Sequence, residues 1–258
     1  MLVGIAMHVM AAIADEDPYF IQKCELPPEL EFAHFDESDG LRPSFPVSVV
    51  ISDDFNDQWL KQIHDAIEEW NRFSKRSLGF HFFKVSKDPL PAFAKAIDPS
   101  QGIDEATPED MSILAIVPSA LSYAHGSTRG KVRMLNGEIA HPRKHQLLIR
   151  ISTTLPDGPV AVDSPQIQSV ALHELGHAIG LDHACGEPAR HGHPAVSCED
   201  LPFEIAEMVD RSVMYPGLKI FTYAEQTPPI KHYEIKERLT VLDSMRAFCL
   251  YKNARPAH

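Results

Sequence analysis

The 258-residue chain has no apolar run of the roughly 18–20 residues that a membrane-spanning helix needs, which argues against an integral membrane protein. It also lacks a basic surplus. Lys and Arg number 24 against 36 Asp and Glu, a formal net charge of −12. Such a balance gives no electrostatic footing for gripping nucleic acid or docking on anionic lipid. There is no internal repeat and no low-complexity tract. No phosphate-cradling glycine loop, nucleophilic-serine elbow or cysteine–histidine signature is present either, which sets aside the enzyme classes built on them. What remains is ordinary globular composition, 44% hydrophobic and 23% charged, long enough for one large core with or without a small appendage.

The charge is uneven. Residues 1–45 hold nine acids against Lys23 and Arg42, a net of −7 that leaves only −5 for the other 213 residues. This acidic stretch reads as a separate extension, either a solvated leader or a short pro-segment lying across the main domain. Its first fourteen residues, MLVGIAMHVMAAIA, resemble the apolar core and small-residue cleavage site of a secretory signal peptide, without the basic start. The four cysteines fit two disulfides in an oxidising compartment, with reduced buried thiols inside the cell as the alternative. Cys185 and Cys198 bracket one loop and are the preferred pair. Cys24 and Cys249 would then tie the two ends together.

Prolines 27, 28, 43 and 46 with Gly40 read as a linker. Val47–Ser52 alternates and is β-branched, so a strand is expected there. Asn56 can cap a helix of about four turns whose apolar stripe is Trp59, Ile63, Ile67 and Trp70. Further strands are expected at Leu78–Val85, at 112–117 as a run covered on both faces, and at 146–152, where Leu147, Ile149 and Ile151 share one side. Strands with a packed helix imply a mixed sheet. Few patterns follow residue 184 until Leu239–Tyr251, which reads as a final helix.

The chemistry lies in residues 164–183, SPQIQSVALHELGHAIGLDH. Ser164 suits a helix cap and Pro165 the first helical position. His173 and His177 are four apart, so both imidazoles leave one face of a helix, a spacing that lets two nitrogens meet one zinc ion. Glu174 stands beside them, placed to accept a proton from water. Gly180 can turn the chain back, and His183 follows three residues later. Three neutral imidazoles with an open position describe a catalytic zinc site, whereas structural sites are usually closed by four protein ligands. Three His, one Glu and one Gly at this spacing arise by chance on the order of 10⁻⁴ times per chain, so the pattern is far more specific than a bare HExxH.

The full pattern His173-Glu174-x-x-His177-x-x-Gly180-x-x-His183 resembles that of the metzincin zinc endopeptidases. Ser212-Val213-Met214-Tyr215-Pro216, with Met214 31 residues after His183, is similar to the methionine turn of the matrixins, the matrix-metalloproteinase-like branch. Trp70-Asn71 is similar to the end of that family's first helix, and Leu239-Thr240-x-x-Asp243 with Leu250-Tyr251 to its last. The resemblance spans about residues 45–251. It implies an α+β fold: a mixed twisted sheet with packed helices, an active-site helix and an irregular C-terminal subdomain ending in a helix. The catalytic domain would be 46–258, with an upper part of about 46–180 and a lower part of about 181–258. One catalytic zinc is implied on His173, His177 and His183, with Glu174 as general base. Met214 would support the base of the site, and Asp243 would hold the methionine turn by hydrogen bonds.

An extended peptide would add to a sheet edge at 146–152, using Leu148 and Arg150, while the chain from Tyr215 to Tyr223 walls the pocket beyond the cut. The expected partners are protein or peptide substrates, with no nucleic acid and no membrane, and the expected state is a secreted monomer. The sequence also departs from the family. His125, His141 and His145 lie where a structural zinc and calcium loop is expected but lack its aspartates, so calcium or a second zinc stays open and solvated histidines are the plainer reading. The residue after His183 is Ala184, where several branches carry a diagnostic one. The loop between His183 and Met214 is long and contains His191 and His193. Cys24 lies where matrixins carry a latching cysteine, but only it and Lys23 match, so a disulfide or inert thiol is the reading. Rival readings are a zinc-binding module that recognises peptides without cutting them, and a processing protease inside the cell.

Overall fold

The computed structural model describes residues 17–27, 30, 45–91, 94, 113–119, 126–132, 134–135, 138–139, 145–153, 164–186, 196–216, 220–223, 230–233 and 235–254. The first helix, α1 (Asp57–Ser77), opens at Asn56, whose side-chain oxygen accepts the Trp59 amide at 2.9 Å. Ile63, Ile67 and Trp70 are buried as one stripe. The helix runs nearly six turns rather than four. Its buried face continues past Trp70 through Phe73 and Ser74, and Ser74 Oγ accepts the Phe82 amide at 3.2 Å.

The aromatic run after α1 departs from the strand expected there. Leu78 caps the helix and Gly79 takes φ +84°, a left-handed turn that leaves only Phe83–Val85 (β2) for the sheet. Phe80 and Phe82 instead pack on Phe45, with ring centroids 5.4 and 4.8 Å away.

The main sheet combines β2 with β1 (Val47–Ile51), β3 (Ile113–Ser119), β4 (Gly126–Val132) and β7 (His145–Ser152). A small hairpin of β5 (Met134–Leu135) and β6 (Glu138–Ile139) lies between β4 and β7 in the chain. The spatial order is β2-β1-β3-β7-β4. The first four strands are parallel, and β4 runs antiparallel along β7. Val47, Val49, Leu114, Ile116, Leu147, Ile149 and Ile151 belong to the main core shared with the helices. Val50, Ile113, Ala115, Val117 and Leu148 form a second, smaller cluster, so the middle strands are covered on both faces.

Against α1 packs α2 (Ser164–Ala178), and the Trp70 indole N–H donates to the Leu172 carbonyl at 3.0 Å. The chain then forms α3 (Phe203–Arg211), a hairpin of β8 (Ile220–Tyr223) and β9 (Ile230–Tyr233), and α4 (Val241–Tyr251). Thr240 and Asp243 make a reciprocal capping box at the start of α4. The architecture is thus a mixed sheet with packed helices, four of which lie among the described residues. None of those is long and apolar enough to cross a membrane.

Cys24 bonds Cys249, and Cys185 bonds Cys198, which is the pairing expected from their positions. Two disulfides are the chemistry of an oxidising, extracellular compartment. The Cys24–Cys249 bond also ties the N-terminal stretch to α4. Residues 17–27 are built into the same body. Tyr19 donates its hydroxyl to Glu69 at 2.6 Å, the Ile21 amide donates to Ser77 Oγ at 2.8 Å, and Ile21 and Leu30 are buried in the main core. The negative charge of this stretch signals solvation but hides the apolar residues spaced within it.

Candidate metal centre

His173 and His177 stand one turn apart on α2, as their spacing requires. The helix then stops in a Schellman turn. The Leu181 amide reaches the Gly176 carbonyl at 3.0 Å, the Gly180 amide reaches His177 at 2.9 Å, and Gly180 takes φ +90°. A side chain with a Cβ would be strained there, so Gly180 is what allows the chain to reverse and bring His183 back over the helix face.

The three Nε2 atoms converge. His173 and His177 are 3.1 Å apart, His173 and His183 3.2 Å, and His177 and His183 3.3 Å. The opposite nitrogens explain what faces inward. His173 Nδ1 lies 2.7 Å from the Val213 carbonyl oxygen and His177 Nδ1 lies 2.8 Å from that of Leu181. A carbonyl oxygen only accepts, so both Nδ1 atoms carry the proton and both Nε2 atoms present bare lone pairs. Two lone pairs at 3.1 Å repel unless a cation lies between them.

Burial reinforces this. It pushes the pKa of His173 well below the usual histidine value, with His177 and His183 adding to the effect. Burial takes His177 to about 3, and lowers His183 as well. All three rings are therefore neutral at pH 7, the state in which imidazole binds metal. A tetrahedral ion with bonds of about 2.0–2.1 Å places its ligand atoms about 3.3–3.4 Å apart, close to the spacing here. The donor set fits a divalent ion of the zinc type.

Glu174 follows His173 on α2 and is buried at 5% exposure. Met214 is fully buried. Its carbonyl accepts the Ala184 amide at 2.9 Å, joining the turn at Met214 to the chain just after His183. The turn is held from α4: Asp243, also fully buried, accepts from Ser212 Oγ and, at 3.1 Å, from the Val213 amide. Since the Val213 carbonyl orients His173, Asp243 acts on the cluster through one intervening residue, Val213. Tyr215 is half-buried beside this turn, with the Lys236 ammonium 5.1 Å from its ring centroid.

Leu148 and Arg150 do not lie at a sheet edge. β7 is paired along its length with β3 on one side and β4 on the other, and both side chains are buried. Alternation over 146–152 signals a strand but says nothing of its neighbours. Among the described strands the free edge next to β7 is that of β4, which also approaches α2. Cys24 is engaged with Cys249 and so is not positioned as a metal ligand. His125, His141, His191 and His193 lie outside the described residues, and His145 begins β7.

Sequence reasoning passed over Lys236, whose ammonium donates to the carbonyls of Asp210 at 2.8 Å and Ser212 at 2.7 Å. It also passed over Arg246, buried on α4. Neither has a motif: each acts on backbone carbonyls, which every residue offers. No family model matches the chain, and no curated protein matches it.

Proposed function

We propose that the chain is a zinc-dependent endopeptidase of the metzincin clan, with a matrixin-like catalytic domain that works outside the cell. The observation that carries this reading is the convergence of three Nε2 atoms within 3.1–3.3 Å, two of them left as bare lone pairs by the Nδ1–H bonds of His173 and His177, with Glu174 on the helix that supplies those two. His173, His177 and His183 would hold the ion. A zinc ion bound there supplies Lewis-acid polarisation of the scissile carbonyl and acidifies water.

Glu174 acts as general base and then as general acid. It takes a proton from the attacking water as the new C–O bond forms and delivers it to the amine nitrogen as the C–N bond breaks. The peptide lies extended along the outer edge of β4, which pairs with no other described strand and can extend the sheet by one strand. Tyr215 borders the pocket for the first side chain beyond the cut. Met214 supports the cluster from below without touching substrate.

Incubating the zinc-loaded protein with an unfolded protein tests this reading. Cleavage that a chelator abolishes and added zinc restores is the expected result. Tight binding of one zinc per chain without any cleavage would leave a peptide-recognition module in its place.

A further inference from the structure

The three histidines are not held in the same way. His173 and His177 are each fixed through the ring, Nδ1–H to a backbone carbonyl. His183 has no such partner on its Nδ1 among the described residues. Its backbone amide donates to Asp182 Oδ1 at 2.7 Å, and its Nε2 lies 3.2 and 3.3 Å from those of His173 and His177. The position of the third ring is therefore set by the backbone around residues 181–184.

That backbone is pinned on one side by the Ala184 amide on the Met214 carbonyl. On the other it is pinned by α4, where Arg246 Nη2 donates to the Asp182 carbonyl at 2.8 Å. Arg246 is 3% exposed, an uncommon placement for an arginine. Burial lowers its pKa to about 10, against the opposing pull of Asp243 and Asp182, which leaves it charged at pH 7.

Resting on the metal reading above, we infer that Arg246 is a positioning residue for the third metal ligand: it clamps the Asp182–His183 peptide so that His183 Nε2 stays aimed at the other two. Asp182 completes the clamp by holding the His183 amide with its carboxylate. Partners that orient metal ligands typically contribute 10–100-fold to metal affinity. The same helix thus reaches the cluster twice, through Asp243 to His173 and through Arg246 to His183.

The test is competitive zinc titration of the full chain against a chromophoric chelator, with cobalt absorption as the spectroscopic signature of ligand geometry. Arg246→Met keeps the stem and removes every donor. It should bind zinc 10–100-fold more weakly and give an altered cobalt spectrum. Arg246→Lys retains one donor and should recover most of the affinity. Asp182→Ala, at a half-exposed position, should weaken zinc several-fold and serves as the deciding variant if Arg246→Met does not fold. Wild-type zinc affinity in a folded Arg246→Met, or in Asp182→Ala where that variant decides, overturns the inference. Wild-type protein that binds no zinc would instead overturn the metal reading itself.

Discussion

Gly176 and Met214 are in direct contact across the base of the histidine cluster: a Cβ built on Gly176 would stand 2.2 Å from the Met214 sulfur and 3.3 Å from the Trp70 ring. The helix carrying two of the histidines can lie this close to the turn at Met214 only because one residue between them has no side chain.

Gly176→Ala therefore sets two effects against each other. Alanine gains about 1 kcal/mol of helix propensity over glycine, while overpacking a filled core costs about 1–3 kcal/mol. The clash should win, lowering the melting temperature in the wild-type background. In a Met214→Ala background the same change should be neutral or stabilising, and a double-mutant cycle by urea denaturation reads the difference.

Glu174→Ala should abolish peptide cleavage while zinc stays at one equivalent. Loss of a general acid–base group typically costs 10²–10⁴-fold. Metal content by elemental analysis, alongside cleavage of an unfolded protein, checks it. Retained turnover would remove Glu174 from its assigned role.

Asp243→Ala should be among the most damaging substitutions. The carboxylate accepts from the Thr240 amide at 2.9 Å, from Thr240 Oγ1, from Ser212 Oγ and from the Val213 amide. Its loss removes a helix cap and strands buried donors that each cost about 1–3 kcal/mol. A destabilisation of roughly 3–5 kcal/mol in urea is expected, with weaker zinc binding because the Val213 carbonyl loses its support.

Acid should destabilise the metal-free protein. The histidine cluster is held neutral by burial, with His177 pushed down to about 3, whereas an unfolded histidine titrates near 6.5. Above 6.5 neither state takes up the proton. Below it the unfolded chain gains protons that the folded cluster refuses, so stability falls from about pH 6.5 toward pH 3. Thermal melts in the presence of a chelator between pH 7 and pH 4 should show a steady decline. Replacing His177 with Gln should flatten part of it.

The site was far more readable than its supports. His173, His177 and His183 could be grouped because helix geometry and a glycine turn translate fixed spacing into fixed direction. The disulfide pairs followed from where the cysteines sit in the chain. β4 was not readable: GSTRGKV has two glycines and no apolar alternation, and it becomes a strand through its pairing with β7. The β8–β9 hairpin and short α3 lay in a stretch without a strong period. Arg246 and Lys236 look like surface charges in sequence. Their placement depends on carbonyls more than twenty residues away, which no local pattern encodes.

The bond between Cys24 and Cys249 has a consequence for maturation. Any cut between residues 31 and 44 would separate the acidic start from the remainder of the polypeptide, yet the two pieces would stay joined through α4. Such a nicked protein would migrate as one species on a gel until a reductant was added, and then as two. Releasing Cys24 and the residues before it would take proteolysis on its carboxyl side together with reduction, whereas a cut on its amino side leaves the tether in place.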